Sequence, residues 1–320
     1  MLKKTLLLIL SFIIAFVIVE FIIGDIVNYP AYGVRFKVQY RKGAETWSNI
    51  KVPYAKVLNI EGKTKTHYNN LGIPGSDVTN LNNSIVVLGS SYVEALQFDP
   101  DDIATSFFQR RLAEEGEDIS VINLGCSGHD PYDSWFRLKY FEKHLGFKTN
   151  DVILVLNSDN REWFSRHPKP LDFSLSPNFG EVNNSKMVRV TIFLRNNSSF
   201  IALLVQGMKG INDEQTNENE KIENRDTNQG ISTEMKECLD KFSSEYQNFV
   251  VISILNDNMF NKDLAEYCLQ KSIPCLMQPL AKPEFMLNGA GHLNKKGNEE
   301  LGLLLYKAYL NYIKPQLMAS

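Results

Sequence analysis

Histidine, cysteine and tryptophan are scarce in this chain, and no long run of positive charge occurs: 5 His, 4 Cys and 3 Trp stand among 320 residues, and the formal net charge is −3. A chain so weakly acidic, without a basic stretch, is not built to hold nucleic acid. Cys126, Cys238, Cys268 and Cys275 form no Cys-x-x-Cys pair and no Cys/His cluster, so a cysteine-built metal centre is excluded. Cys268 and Cys275 are near enough in sequence to bridge outside the cytoplasm, but separate buried thiols are the expected state. No glycine-rich phosphate loop follows the first strong strand, which removes a nucleotide-binding reading of the fold. A small-x-small cleavage site is also missing after the N-terminal apolar run, which continues instead as Gly24-Asp25-Ile26-Val27-Asn28.

The apolar share is 43%, enough for one full core. Met1-Leu2-Lys3-Lys4 precedes an apolar run from Leu6 to Ile23, broken by Ser11 and Glu20. At about 1.5 Å per residue such a helix spans most of a bilayer core of about 30 Å. Residues 1–24 are therefore expected to be an uncleaved signal anchor, a cleaved signal peptide being the alternative. Lys3 and Lys4 would keep their end cytoplasmic and send the remainder outward, to a periplasmic or extracellular location. Residues 25–80 read as a polar, irregular approach, and 81–316 as the globular domain. The stretch from Gly210 to Gly230, rich in Asn, Asp, Glu, Gln and Thr, is expected to be a mobile insertion.

Within the domain, short apolar runs alternate with helical patterns. Ile85–Leu88, Ile119–Leu124, Val152–Leu156, Phe249–Leu255 and Pro274–Met277 read as strands. Helices are expected at Asp102–Glu115, Asp133–His144, Asp263–Lys271 and Asn298–Tyr312, with one more within 187–206, on the sheet or near the membrane. Five strands alternating with helices imply an α/β fold of three layers, αβα, around a parallel sheet. Sites in such sheets gather at the C-terminal strand edge.

Four segments fall at that edge. Gly89-Ser90-Ser91-Tyr92-Val93-Glu94 follows the first strand directly. Asn123-Leu124-Gly125-Cys126-Ser127-Gly128 follows the second, and Asn157-Ser158-Asp159-Asn160 the third. Gly291-His292-Leu293-Asn294-Lys295-Lys296-Gly297 enters the last helix. A serine hydroxyl needs a neighbouring base to become a nucleophile, and histidine supplies one near neutral pH. Ser91 and His292 are the candidate pair. Amides of Ser91 and Gly128, with a side-chain amide from Asn157 or Asn160, can meet a developing oxyanion. For each glycine taken singly, shaping a strand–helix turn is the plainer role. Of the other histidines, only His129, after a strand-end loop, is placed to line a cleft.

Together, and in this order, the four blocks resemble the SGNH (GDSL-like) hydrolases, over Asn69 to Ala308. Asn69-Asn70-Leu71-Gly72-Ile73 is similar to the Asn-x-x-Gly-Phe-Arg segment of membrane-anchored members. The resemblance implies a flavodoxin-like five-stranded sheet, Ser91 as nucleophile, His292 as base, Gly128 and Asn157 as oxyanion donors, and no metal or organic cofactor. It also implies an acyl ester as substrate, such as an acetylated small molecule or envelope polysaccharide, with transfer to a sugar hydroxyl as the close alternative to hydrolysis. The chain departs from the pattern at Ser90, where Asp is usual, at Ala95, where Gly is usual, and at Ser158-Asp159 in place of Asn-Asp. No carboxylate stands just before His292, where Asn288, Gly289 and Ala290 occur; Glu284 is the nearest candidate acid. That loss implies a second reading, a non-catalytic glycan-binding or assembly protein.

Overall fold

The computed structural model describes residues 2–22, 36–41, 44–48, 56–59, 64–157, 164–165, 167–175, 190, 198, 200–201, 230–280, 282–287 and 291–319. The expected insertion at 210–230 lies outside these residues except for Gly230, as do Ser158, Asp159, Asn160, Asn288, Gly289 and Ala290.

Helix α1 (Leu2–Phe21) is the apolar N-terminal run. The stretch expected to be irregular instead carries two antiparallel hairpins. Strand β1 (Phe36–Arg41) pairs with β2 (Ala44–Ser48), and β3 (Lys56–Asn59) with β4 (Thr64–His67). Polar composition concealed them because ladder bonds join backbone groups whatever the side chains are, and closing so short a loop costs little entropy.

The core is a parallel sheet of β5 (Ser84–Leu88), β6 (Ser120–Asn123), β7 (Asp151–Leu156), β8 (Asn248–Ser253) and β9 (Cys275–Met277). Its order is β6-β5-β7-β8-β9, the flavodoxin-like 2-1-3-4-5 arrangement expected, with every neighbour parallel. Strands β5 to β8 are buried along their whole length, and their alternate side chains feed two cores. Val86, Leu88, Ile122, Val152, Leu154 and Val251 face one side. There they meet α4 (Pro131–Leu145), α5 (Thr233–Glu245) and α6 (Asn258–Lys271) through Trp135, Phe136, Leu239, Phe242 and Leu264. Ile85, Val87, Val121, Ile153, Val250 and Ile252 face the other. They pack on α3 (Ala104–Glu114) and α7 (Lys295–Ala308) through Phe108, Leu112, Leu301 and Leu305. The result is the three-layer αβα arrangement.

Several helix starts lie earlier than periodicity alone suggested, because polar caps set them. Asp130 accepts from the Asp133 amide, Asp257 from Met259 and Phe260, and Asn294 from Gly297, opening α4, α6 and α7. Helix α5 was not expected; its apolar positions are few, but Met235, Cys238, Leu239 and Phe242 are all buried on one stripe. The core also begins before residue 81. Tyr68 and Ile73 are fully buried, and the Asn69 and Asn70 side chains tie the turn together through Leu71, Ile73, Ser76 and Val78.

All four cysteines are free thiols, as expected, including the neighbouring pair Cys268 and Cys275. They share a hydrogen bond that lowers the Cys268 pKa and raises that of Cys275, where burial adds to the rise.

Candidate active site

Chain order in the sheet reverses at β5: the chain leaves to one side for β6 and returns across it to β7. This reversal opens a crevice beyond the C-terminal ends of β5, β6 and β7. Gly89–Glu94, Leu124–Gly128 and Asn157, which follow these three strands, stand at that edge.

Ser91 is half-exposed at the first position of a short helix, α2 (Ser91–Glu94), three residues beyond the end of β5. Ser90 precedes it in extended conformation, and its carbonyl accepts from the Val93 and Glu94 amides. The Ser90 hydroxyl is buried and donates to Asn157 Oδ1 at 2.7 Å. The serine thus bridges the ends of β5 and β7. With Oδ1 engaged, the Asn157 amide nitrogen is the group left to donate elsewhere. The helix ends at Ala95, whose φ of 48° and ψ of 43° are left-handed. A Cβ in this conformation costs about 1–2 kcal/mol.

The Gly128 loop is clamped to α2 by Glu94, a residue that sequence reasoning passed over. Its carboxylate is fully buried and accepts from the Ser127 amide at 2.7 Å and from the Ser127 hydroxyl. Asn123 reinforces the clamp, its side-chain amide donating to the Val93 carbonyl at 2.8 Å and to Thr105 Oγ1 at 3.1 Å. Cys126 N–H donates to the Gly89 carbonyl at 2.9 Å. A Cβ on Gly125 would lie 2.4 Å from the Glu94 nitrogen, so only glycine lets the loop approach this closely. Gly125 is therefore a packing residue. Gly128 stands exposed on the outer part of the loop. A lone acid three residues after the candidate nucleophile, in an otherwise apolar turn, was the available signal for Glu94.

His292 is half-buried on a loop shaped by backbone pairing. The Leu287 amide donates to the His292 carbonyl at 2.8 Å, and the Asn294 amide to the Phe285 carbonyl at 2.7 Å. Asn294 Nδ2 donates to the carbonyls of Glu284 and Met286, while its Oδ1 caps α7. A Cβ on Gly297 would meet the Phe285 carbonyl at 2.4 Å, which explains the His-x-Asn-x-x-Gly spacing physically. Tyr92 joins this loop to Ser91's helix. Its hydroxyl donates to the Gly291 carbonyl at 2.6 Å, and its ring centroid lies 5.8 Å from that of His292. Ser91 and His292, 201 positions apart, thus sit on elements held together by the residue next to Ser91. Glu284 is exposed on a one-turn 3₁₀ segment, Pro283–Phe285.

His129 is buried in a recess beside Gly89, Ser90, Asp130, Ser134, Leu156 and Asn157. The adjoining Asp130 meets His167 Nε2 at 2.6 Å, both side chains being fully enclosed. Ligand-type atoms of Asp130, Asp133 and His167 lie within 4.8 Å of one another. Asp130 already caps α4 and holds His167, so the trio serves as a structural tie between α4 and the stretch around His167.

No protein-family profile matches this sequence, and no curated protein matches it. Solved structures of SGNH/GDSL lipolytic enzymes do match its fold. TesA matches at 13% identity and a TM-score of 0.41, covering 71% of this chain and 97% of its own. The psychrotrophic esterase EstA from Pseudoalteromonas sp. matches at 15% and 0.39, covering 73% and 98%. A putative lipolytic protein of the G-D-S-L family from Desulfitobacterium hafniense matches at 11% and 0.38, covering 71% and 99%. Likenesses of this degree identify neither substrate nor reaction, which rest on the residues of the cleft.

Proposed function

We propose that this chain is a serine esterase that cleaves acyl esters through a Ser91 acyl-enzyme, with His292 as base. The observation that carries the reading is the Tyr92 clamp, which holds the His292 loop against the helix that Ser91 opens. In the reaction, His292 takes the Ser91 proton as Oγ attacks the ester carbonyl carbon. The negative charge on the carbonyl oxygen is met by the Ser91 and Gly128 amides and by the Asn157 side-chain amide. Collapse expels the alcohol, which receives its proton from His292. Water then attacks the acyl-enzyme with His292 again as base, releasing the acid and restoring Ser91.

An acetyl ester on an envelope polysaccharide is the substrate class we favour. α1 would anchor the domain to the membrane with the cleft outside the cytoplasm, where such a substrate lies. Transfer to a sugar hydroxyl would replace water with that acceptor. The absence of a carboxylate at positions 288–290 favours one other reading, a glycan-binding protein that uses the same cleft without chemistry. Losing the orienting acid of a triad costs on the order of 10⁴ in turnover while the other parts persist.

Fluorophosphonate treatment of the full chain in detergent separates the two. An adduct on Ser91, absent in Ser91→Ala and at least tenfold slower in His292→Ala, is the expected result. A folded sample that takes no label at Ser91 would sink the esterase and leave the binding protein.

A further inference from the structure

Every described residue of α1 from Lys3 onward is exposed except Phe16, Val19 and Glu20. Those three stand at i, i+3 and i+4, so they share one face of the helix. What Phe16 and Glu20 meet is a stretch about 180 residues away. One Glu20 carboxylate oxygen accepts from the Ser198 hydroxyl at 2.8 Å and from the Phe200 amide at 3.2 Å. Ser198 Oγ in turn accepts from the Ile201 amide at 3.1 Å. The Phe16 and Phe200 rings meet edge to face, with centroids 6.1 Å apart. The sequence continues Phe200-Ile201-Ala202-Leu203-Leu204-Val205, with no charged residue until Lys209.

We propose that α1 is a docking element as well as a tether: its Phe16 and Glu20 side chains receive Ser198 and Phe200, and the two lie together at the outer boundary of a lipid bilayer. This rests on the reading of α1 as a retained anchor. A carboxylate near a membrane boundary is costly unless donors meet it, and Glu20 is the one acidic residue of α1. Ser198 and Phe200 supply those donors. The exposed remainder of α1, which includes Val17, Ile18 and Phe21 as well as Lys3 to Ala15, is left for lipid, and the apolar run Lys3–Phe21, 19 residues long, has the length and apolarity that a bilayer fits. An N-terminal segment destined for removal would need no such partner in the folded domain.

The test uses the full chain in bacterial membranes, with cysteines introduced in pairs and oxidised by copper phenanthroline. Cross-linked peptides and the N-terminal peptide are both read by mass spectrometry. Phe16→Cys with Phe200→Cys should cross-link, whereas Leu7→Cys with Phe200→Cys should not, because Leu7 lies about 13 Å further along the helix. Adding Glu20→Ala should slow the first cross-link several-fold. In the chain carrying Glu20→Ala alone, exchange of the Phe200 amide should quicken at least tenfold while the β5–β8 amides are unchanged. Loss of residues 1–21 from the mature chain would overturn the anchor and the docking together. A retained α1 that cross-links equally from positions 7 and 16, or from neither, would overturn the docking and leave the anchor standing. Unchanged Phe200 exchange in Glu20→Ala would overturn the docking even if the cysteine variants fail to fold.

Discussion

Glu94 and Ala95 carry opposite consequences although they are neighbours. Glu94 holds the Ser127 amide and hydroxyl, and so sets where the Gly128 loop stands. Removing one oxyanion donor costs about 10²–10³ in kcat. Loosening the loop that carries it should cost less. Glu94→Gln is expected to lower kcat about tenfold on a short-chain acyl ester with KM little changed, measured by steady-state hydrolysis. A KM effect alone would argue that Glu94 shapes binding. Ala95 holds a left-handed conformation where glycine is at ease. Ala95→Gly should therefore stabilise the domain by about 0.5–1 kcal/mol, the gain being reduced by glycine's greater freedom when unfolded. A melting temperature a few degrees higher would show it; no change would mean that the strain is relieved elsewhere.

At the scale of elements, the candidate site is an assembly of strand ends and caps. β5 delivers Ser91, β6 the Gly128 loop and β7 Asn157, all from one edge. The fourth part comes from the start of α7, where Asn294 fixes the helix cap and the loop behind it with one side chain. Gly297 lets α7 press against Phe285. Gly297→Ala should destabilise the domain by about 1–3 kcal/mol through overpacking and shift the His292 loop. Slower fluorophosphonate labelling in a sample still folded at the assay temperature would be the signature. Unaltered labelling would separate the helix start from the base.

On the scale of the whole molecule, α1 and the αβα domain obey different solvents. α1 exposes Leu6, Leu7, Leu8, Ile13, Ile14 and Val17, a surface that water disfavours and lipid accepts. Among the described residues, the domain buries its apolar side chains in the two cores on either side of the sheet, and neither core includes a residue of α1. Removing residues 1–24 is expected to move the chain from the membrane fraction to the soluble fraction with the sheet intact, as judged by circular dichroism and cooperative melting. A truncated chain that aggregates or melts without cooperativity would show that α1 is needed for the fold.

By itself, the sequence determined the five parallel strands, because the four buried on both faces must be largely apolar and the fifth, partly buried, is a short apolar run too. It also determined the apolar helix at the N-terminus, because length and composition alone decide whether a segment suits a bilayer. It marked Ser91, Gly128, Asn157 and His292 as candidates, since serine, glycine, amide and imidazole at strand ends are conspicuous residue by residue. The hairpins between residues 36 and 67 and helix α5 escaped it, for their stability comes from backbone pairing and packing that no local pattern displays. Only the tertiary structure decided what holds the site together. Glu94 to Ser127, Ser90 to Asn157 and Tyr92 to Gly291 join residues 33, 67 and 199 positions apart. Bonds of that kind depend on which strand ends the sheet order makes neighbours, and sheet order is a property of the assembled chain.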